Sequence, residues 1–346
     1  MKNNNSNINL SSLKSFKKKK SSSRKKSSSR KKSSSRKKSS SRKKSSSRRR
    51  NQMRNNGSLS LVKGSIFSPQ SVNQTSFEGS GEDILFAFQY LSNKYNNFYM
   101  PLGDFNDNLV MWNVVTSWKC SFDKKFELHL PMDKNKFISK IQEVFRKKKL
   151  EYILLPIYLG SSDCKVENGH FNVAIIDVME RTYERFEPYG HSVNLTIHKP
   201  FNRKIVSVFE EAGIDLSILE INEYLPKISL QEIEEREVEN SISSMRNGDP
   251  GGFCGVWGTW YVELVFRNKY LSRKKLVKKA IKYIKGKKHF RKFIRNYSGH
   301  LVRMRKELLK EISTECGMSI GINDYEGCVK KYVLKKLKNN ISLNYM

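Results

Sequence analysis

Three side chains, His170, Glu187 and Cys254, are of the types and in the chain order that nucleophilic acyl transfer requires. Cys254 closes the glycine-rich stretch Asp249-Pro250-Gly251-Gly252-Phe253-Cys254 and opens the apolar run Gly255-Val256-Trp257-Gly258-Thr259-Trp260-Tyr261. That pattern predicts a turn delivering a thiol to the first turn of a helix. There, unmade backbone N–H groups and the positive end of the helix dipole favour the thiolate. A cysteine alone reads as a packed core thiol, because free cysteines are among the most buried residues. A histidine alone reads as structural, and a glutamate alone as a surface charge. The chemistry rests on their combination.

His170 lies in Gly169-His170-Phe171-Asn172-Val173-Ala174-Ile175-Ile176-Asp177-Val178, and Glu187 in Tyr183-Glu184-Arg185-Phe186-Glu187-Pro188-Tyr189-Gly190. Both stretches are rich in β-branched and aromatic residues, and the polar Met179-Glu180-Arg181-Thr182 separates them, which predicts a β-hairpin. With the turn near residue 179, His170 and Glu187 fall opposite or diagonal to one another on one face. Asp177 is an odd number of positions from His170 and points to the other face, so Glu187 is the expected orienting carboxylate. Asn247, seven residues before Cys254, is the candidate side-chain donor to an oxyanion, beside the backbone N–H of Cys254. As part of an Asn-Gly pair it also reads as a plain turn residue.

Gly-His-aromatic, then Phe-Glu-Pro-aromatic-Gly, then an amide-Gly pair seven residues before Cys-Gly, resembles the adenovirus-type maturation proteases. These belong to the superfamily of ubiquitin-like-protein (SUMO) proteases. Within it the chain is most similar to the thiol proteases of giant amoeba-infecting DNA viruses. The resemblance runs from about Glu151 to Phe266, and its most specific piece is Arg185-Phe186-Glu187-Pro188-Tyr189-Gly190. It implies His170 as base, Glu187 as orienting carboxylate, Cys254 as nucleophile and Asn247 as oxyanion donor. Phe171 departs from the family's tryptophan, and Asn247 from its longer glutamine. The implied fold is α+β in the papain-like arrangement, with a central helix bearing the cysteine and a mostly antiparallel sheet bearing His170 and Glu187. The implied substrate is a protein or peptide, in the first place a viral structural precursor cleaved during particle maturation. The implied setting is the virion and the host cytoplasm. No cofactor is implied, with DNA or a peptide left open as an activator. Two other readings stand beside it: removal of ubiquitin-like modifiers by the same chemistry, and an inactive protease scaffold that binds nucleic acid in the virion.

The elements that must position these groups follow from periodicity. Helices are predicted over Gly81–Leu91, Lys136–Lys147, Phe201–Ala212, Cys254–Phe266, Arg273–Ile284 and Phe290–Ile312. Tyr152–Tyr158 reads as a core strand with a proline irregularity, Leu219–Leu225 alternates like a strand, and Ser229–Ser243 reads as a loop and helix leading to the cysteine turn. Trp112, Val114, Val115 and Trp118 form an apolar island expected in the core or a groove wall.

Charge divides the chain unevenly. The formal net charge is +33, and residues 1–77 hold 23 Lys and Arg with no acid. Ser-Ser-Ser-Arg-Lys-Lys begins at Ser21, Ser27, Ser33 and Ser39, a variant ending in Arg50 begins at Ser45, and no apolar residue occurs from Lys17 to Gln52. Such a segment cannot bury enough surface to offset chain entropy. Residues 1–75 are therefore expected to be a disordered basic tail on a protease domain of residues 76–346. The tail's like charges suit a nucleic-acid or other polyanionic partner, although a solubilising role is the plainer reading. The basic faces of the last two helices read as solvated, or as a second such surface. Five widely spaced cysteines with no Cys/His cluster imply neither zinc nor a disulfide framework. The chain opens with no apolar targeting region and holds no apolar run near ~20 residues, so neither a signal peptide nor a membrane span is expected. Of the remaining histidines, His129, His191, His198, His289 and His300, only His191 is near enough in sequence to rival His170.

Overall fold

The computed structural model describes residues 77, 81–101, 116–120, 126–160, 170–191, 195–239, 252–286, 289–316, 332 and 335. All lie in the second of the chain's two units, Asn55–Met346. The basic repeats, residues 112–115 of the apolar island and Asn247 lie outside the described residues.

The described residues form one sheet and eight helices. The strands are β1 (Phe98–Tyr99), β2 (Thr116–Cys120), β3 (Phe126–His129), β4 (Tyr152–Gly160), β5 (His170–Asp177), β6 (Thr182–Phe186) and β7 (Ser217–Leu219). Their order is β3-β2-β4-β5-β6-β7, with β1 beside the start of β4. The longest ladders, β4–β5 and β5–β6, are antiparallel, and the β1–β4, β2–β4 and β6–β7 pairs are parallel. The helices are α1 (Gly81–Lys94), α2 (Lys134–Lys147), α3 (Leu195–Glu211), α4 (Ile221–Tyr224), α5 (Leu230–Glu239), α6 (Cys254–Arg267), α7 (Arg273–Gly286) and α8 (Phe290–Cys316). No described helix is long and apolar enough to cross a membrane.

The expected proline irregularity is absorbed without a break. β4 runs straight through Pro156, which pairs with Val173 of β5. On the other edge, β1 ends opposite Ile153 and β2 begins opposite Ile157. Pro156 sits in that gap, where no described strand pairs with it on that edge to ask for the N–H that proline lacks. Two other expectations are corrected. The helix expected from Phe201 starts at Leu195 and carries Pro200 within it. The alternation of Leu219–Leu225 resolves into the end of β7 and the short α4, because the backbone N–H of Glu220 donates to Oε1 of Glu223 at 2.8 Å in a capping box. A local cap there overrides a period-two pattern.

The core is centred on α6, in which every residue from Gly255 to Phe266 is buried. One face of the helix lies on β5. A Cβ at Gly258 would stand 2.9 Å from Cε1 of Phe171 and 3.6 Å from Cγ1 of Val173, so only glycine lets the helix backbone come this close to the strand. Phe186 of β6 stacks on Tyr261 with ring centroids 4.1 Å apart. On the far side, Trp257 and Trp260 pack on Phe293 of α8. The α7 stripe Leu276, Val277, Ala280 and Ile284 is buried, and Lys274, Lys275, Lys278, Lys282 and Lys285 face solvent.

A single carboxylate ties α6 to its helical neighbours. Glu263 is fully buried and accepts from Lys94 Nζ (2.6 Å), Arg267 Nη2 (3.0 Å) and the hydroxyls of Tyr90 (3.1 Å), Tyr95 (3.3 Å) and Tyr297 (2.8 Å). Those partners come from α1 and the residue just after it, from α6 itself and from α8. Burial pushes the Glu263 carboxyl up, but the charge of Lys94 and the surrounding donors hold it below its ordinary value.

Candidate active site

The hairpin register follows the expected geometry. Asp177 pairs with Thr182 and Val173 with Phe186, and the next position beyond the ladder sets Glu187 beside Asn172, on the strand face that also carries His170. His170 and Glu187 are thus diagonal neighbours on one face. Their side chains meet, with Nε2 of His170 2.6 Å from Oε1 of Glu187. Asp177 lies at the opposite end of β5, where its Oδ1 accepts the backbone N–H groups of Met179 and Glu180 and closes the hairpin turn.

Glu187 is wholly buried, whereas the His170 side chain is 15 % exposed. The carboxylate is fixed from several sides. Its Oε1 also accepts the backbone N–H of Tyr189 at 3.1 Å. The turn holding it is closed by the Gly190 N–H on the Glu187 carbonyl at 2.9 Å. Gly190 has φ +89°, and a Cβ there would lie 2.4 Å from the Pro226 carbonyl oxygen, so glycine is required. The backbone N–H groups of Ser229 and Gln231 reach the carbonyls of Tyr189 and Pro188, which anchors the turn to the start of α5. The Tyr189 ring lies 5.3 Å from His170, and its hydroxyl donates to Glu235 at 2.5 Å.

Cys254 is the first residue of α6 and is partly exposed. The close seating of α6 on β5 brings it within interaction range of His170, and each side chain perturbs the other's titration. Since Nε2 is engaged by Glu187, Nδ1 is the ring nitrogen left for the thiol. Burial pushes the Cys254 thiol up. The hydrogen bond and positive charge of His170, with backbone hydrogen bonds from Phe171 and Gly255, nonetheless bring it below its ordinary value. Burial likewise pushes the imidazole down, but the adjacent Glu187 charge and the Cys254 contact raise it to about 10. The arrangement favours a thiolate–imidazolium pair with a carboxylate behind the ring, a state able to attack a carbonyl carbon and to return a proton to a leaving group.

Hairpin and helix thus bring His170, Glu187 and Cys254 together. Asn247 lies outside the described residues, and His191 stands past the turn with its backbone N–H on the Pro226 carbonyl. The sequence reading assigned no role to Arg185 or Tyr189, although both were in the stretch singled out. The signal was an arginine two positions before the glutamate along a strand, hence on its face. Among the described residues no group of side chains could hold a metal ion.

The pair's titration has a definite sign. The thiolate is present above the lowered Cys254 value, and the imidazolium is present below about 10. Alkylation of Cys254 by iodoacetamide, followed by mass spectrometry of its peptide, is therefore expected to show an acidic midpoint below the ordinary thiol value of 9.0. Glu187→Gln removes the main charge holding the imidazolium, so that midpoint should move up. Asp177→Asn keeps the turn-closing oxygen and should leave it in place. A larger shift at Asp177 than at Glu187 would show that the wrong carboxylate has been identified.

No family model matches the chain. It is 28 % identical over 304 residues to the ankyrin repeat protein L371 of Acanthamoeba polyphaga mimivirus, covering 79 % of this chain and 36 % of that protein. The chain thus spans about a third of the length of that curated relative, whose name is not that of a protease. Among solved structures, the Chlamydia trachomatis effector ChlaDUB1 overlaps with TM-score 0.36 and 10 % identity, covering 67 % of this chain and 85 % of that one. The Chlamydia trachomatis effector Cdu1 bound to ubiquitin overlaps with TM-score 0.35 and 10 % identity (68 % and 96 %). The Legionella pneumophila effector RavZ overlaps with TM-score 0.27 and 10 % identity (60 % and 69 %).

Proposed function

We propose that the chain is a thiol peptidase. The observation that carries this reading is the His170–Glu187 bond of 2.6 Å beside Cys254, the first residue of α6, whose thiol the same ring holds below its ordinary value. Cys254 Sγ attacks the scissile carbonyl carbon. The His170 imidazolium gives its proton to the departing amine as the C–N bond breaks, which leaves a thioester on Cys254. Water, deprotonated by the now neutral His170, then attacks the thioester, and the thiol is released with the acid. Glu187 holds the ring and supports its charged form throughout. The backbone N–H of Cys254 and the amide of Asn247 are the proposed oxyanion donors, each worth about 100- to 1000-fold in turnover.

The proposed role is cleavage of viral structural precursors during particle maturation, in the virion and the host cytoplasm. The resemblance of the site motifs supports this reading, and the similarity to a mimivirus ankyrin repeat protein bears on a viral source alone. The basic repeats of the tail would keep the enzyme on nucleic acid near its substrates through sequence-independent, salt-sensitive contacts.

The test is a comparison of substrates. Full-length protein is incubated with a proteome-derived peptide library, and separately with lysine-linked ubiquitin and SUMO conjugates. New peptide termini absent from the Cys254→Ala control are the expected result. Cleavage confined to the conjugates would make the protein a deconjugating enzyme of the same chemistry. Cleavage of neither, by protein whose Cys254 alkylates readily, would leave a scaffold without this activity and overturn the reading.

A further inference from the structure

Behind the His170–Glu187 pair lies a fully buried cation that the chemistry above does not use. Arg185 has no exposed surface, and its Nη1 is 3.9 Å from Oε2 of Glu187. Strand alternation puts Arg185 on the sheet face that carries Glu187, Asn172 and His170. The guanidinium is held on every side described. Nη1 donates to Oδ1 of Asn172, Nε donates to Oδ1 of Asn202 of α3 at 2.8 Å, and the plane lies over the Phe201 ring at 5.3 Å from its centroid. Tyr183 also donates to the same Asn202 oxygen, at 3.3 Å, and the hydroxyl of Tyr224 holds the Arg185 carbonyl at 2.8 Å.

Resting on the peptidase reading, we infer that Arg185 is a positioning residue for the catalytic carboxylate: it keeps Glu187 ionised and its Oε1 aimed at His170. A carboxylate with no exposure is costly without a countercharge and tends to take up a proton instead. Glu187 divides its oxygens between two cations. Oε1 faces the imidazole, whose charge changes during turnover, and Oε2 faces a guanidinium whose charge does not change. When His170 gives up its proton, Arg185 remains, so the carboxylate does not pull the proton onto itself. Asn172 and Asn202 hold the guanidinium, and α3, on the opposite side of the sheet from α6, thereby contributes to the reactivity of Cys254.

The test reads two titrations in full-length protein: the alkylation midpoint of Cys254 with iodoacetamide, and the ring protons of His170 by NMR. Both are measured for Arg185→Met with Glu187 intact and with Glu187→Gln. With Glu187 intact, Arg185→Met is expected to raise the Cys254 midpoint and lower the His170 midpoint, each by about one pH unit. In the Glu187→Gln background it should move neither. A cation acting only through its field would move both midpoints upward and would do so in either background, which would overturn the inference. So would unchanged midpoints in a folded Arg185→Met protein when Glu187→Gln does shift them, and the peptidase reading would survive that result. Unchanged midpoints on Glu187→Gln itself would remove both. Should Arg185→Met not fold, the double variant Arg185→Met/Glu187→Gln buries no lone charge and should fold again, and Arg185→Lys should show the same opposed shifts at smaller size. Failure of the double variant to regain the fold would make Arg185 a packing residue only.

Discussion

Cys254→Ala is expected to abolish hydrolysis of every substrate that the intact protein cleaves, and to leave the fold unchanged. Sulfur carries the covalent step, and alanine offers no atom that could replace it. The side chain is small, partly exposed and at the first position of α6, so removing Sγ opens no internal cavity. The N-cap residue Phe253 makes no side-chain cap bond that the substitution could disturb. Circular dichroism and the unfolding midpoint should match those of the intact protein, and iodoacetamide should no longer label the 254 peptide. Residual cleavage above background by the alanine variant would remove Cys254 from the chemistry. His170→Ala should come next in severity, since general acid–base catalysis contributes about 10²–10⁴. Glu187→Gln should cost less than that, because it orients and supports the ring without exchanging the proton.

The largest effect on stability is expected at Glu263. Glu263→Gln removes a charge that five donors share in a fully buried position, and leaves Lys94 and Arg267 without their common carboxylate. Breaking a buried ionic network from one side typically costs about 3–5 kcal/mol. The expected result in urea or thermal unfolding is a loss of that order, accompanied by weaker docking of α1 and α8 on α6. The same carboxylate gives the intact protein an acid limb. Its folded value lies below the ordinary one, so its contribution is present above about 4.5 and is lost as pH falls through the folded value. A Glu263→Gln protein of unchanged stability, or one whose acid limb matches that of the intact protein, would show that the network is solvated and worth little.

The parts of the molecule readable from sequence are those whose signals are local or periodic. The nucleophile turn and α6 follow from a run of glycines meeting a run of apolar residues. The meeting of His170 with Glu187 on one face follows from strand period and turn position, which leave opposite and diagonal pairing both open. Local capping defeats the alternation of Leu219–Leu225, and the helix expected from Phe201 extends back to Leu195, past Pro200. Two buried charges were also missed, because their partners lie on other elements that local pattern does not connect to them. Glu263 is the sole acid in α6, with partners from the distant α1 and α8, and Arg185 stands beside Glu184 in β6, with partners on β5 and α3. A lone charge in an otherwise buried element is itself a signal that such partners exist.

The seating of α6 on β5 at Gly258 has a consequence for the life of the chain. His170 and Glu187 are on a hairpin made before the thiol, which arrives on a helix that must settle against the strand before imidazole and sulfur meet. Until then Cys254 is an ordinary thiol and His170 an ordinary imidazole. On the peptidase reading, a nascent, partly unfolded or misassembled chain would be inert toward its neighbours, and competence to cut would depend on the docking of α6 against β5. The reactivity of one sulfur atom then reports on whether the whole molecule has been put together.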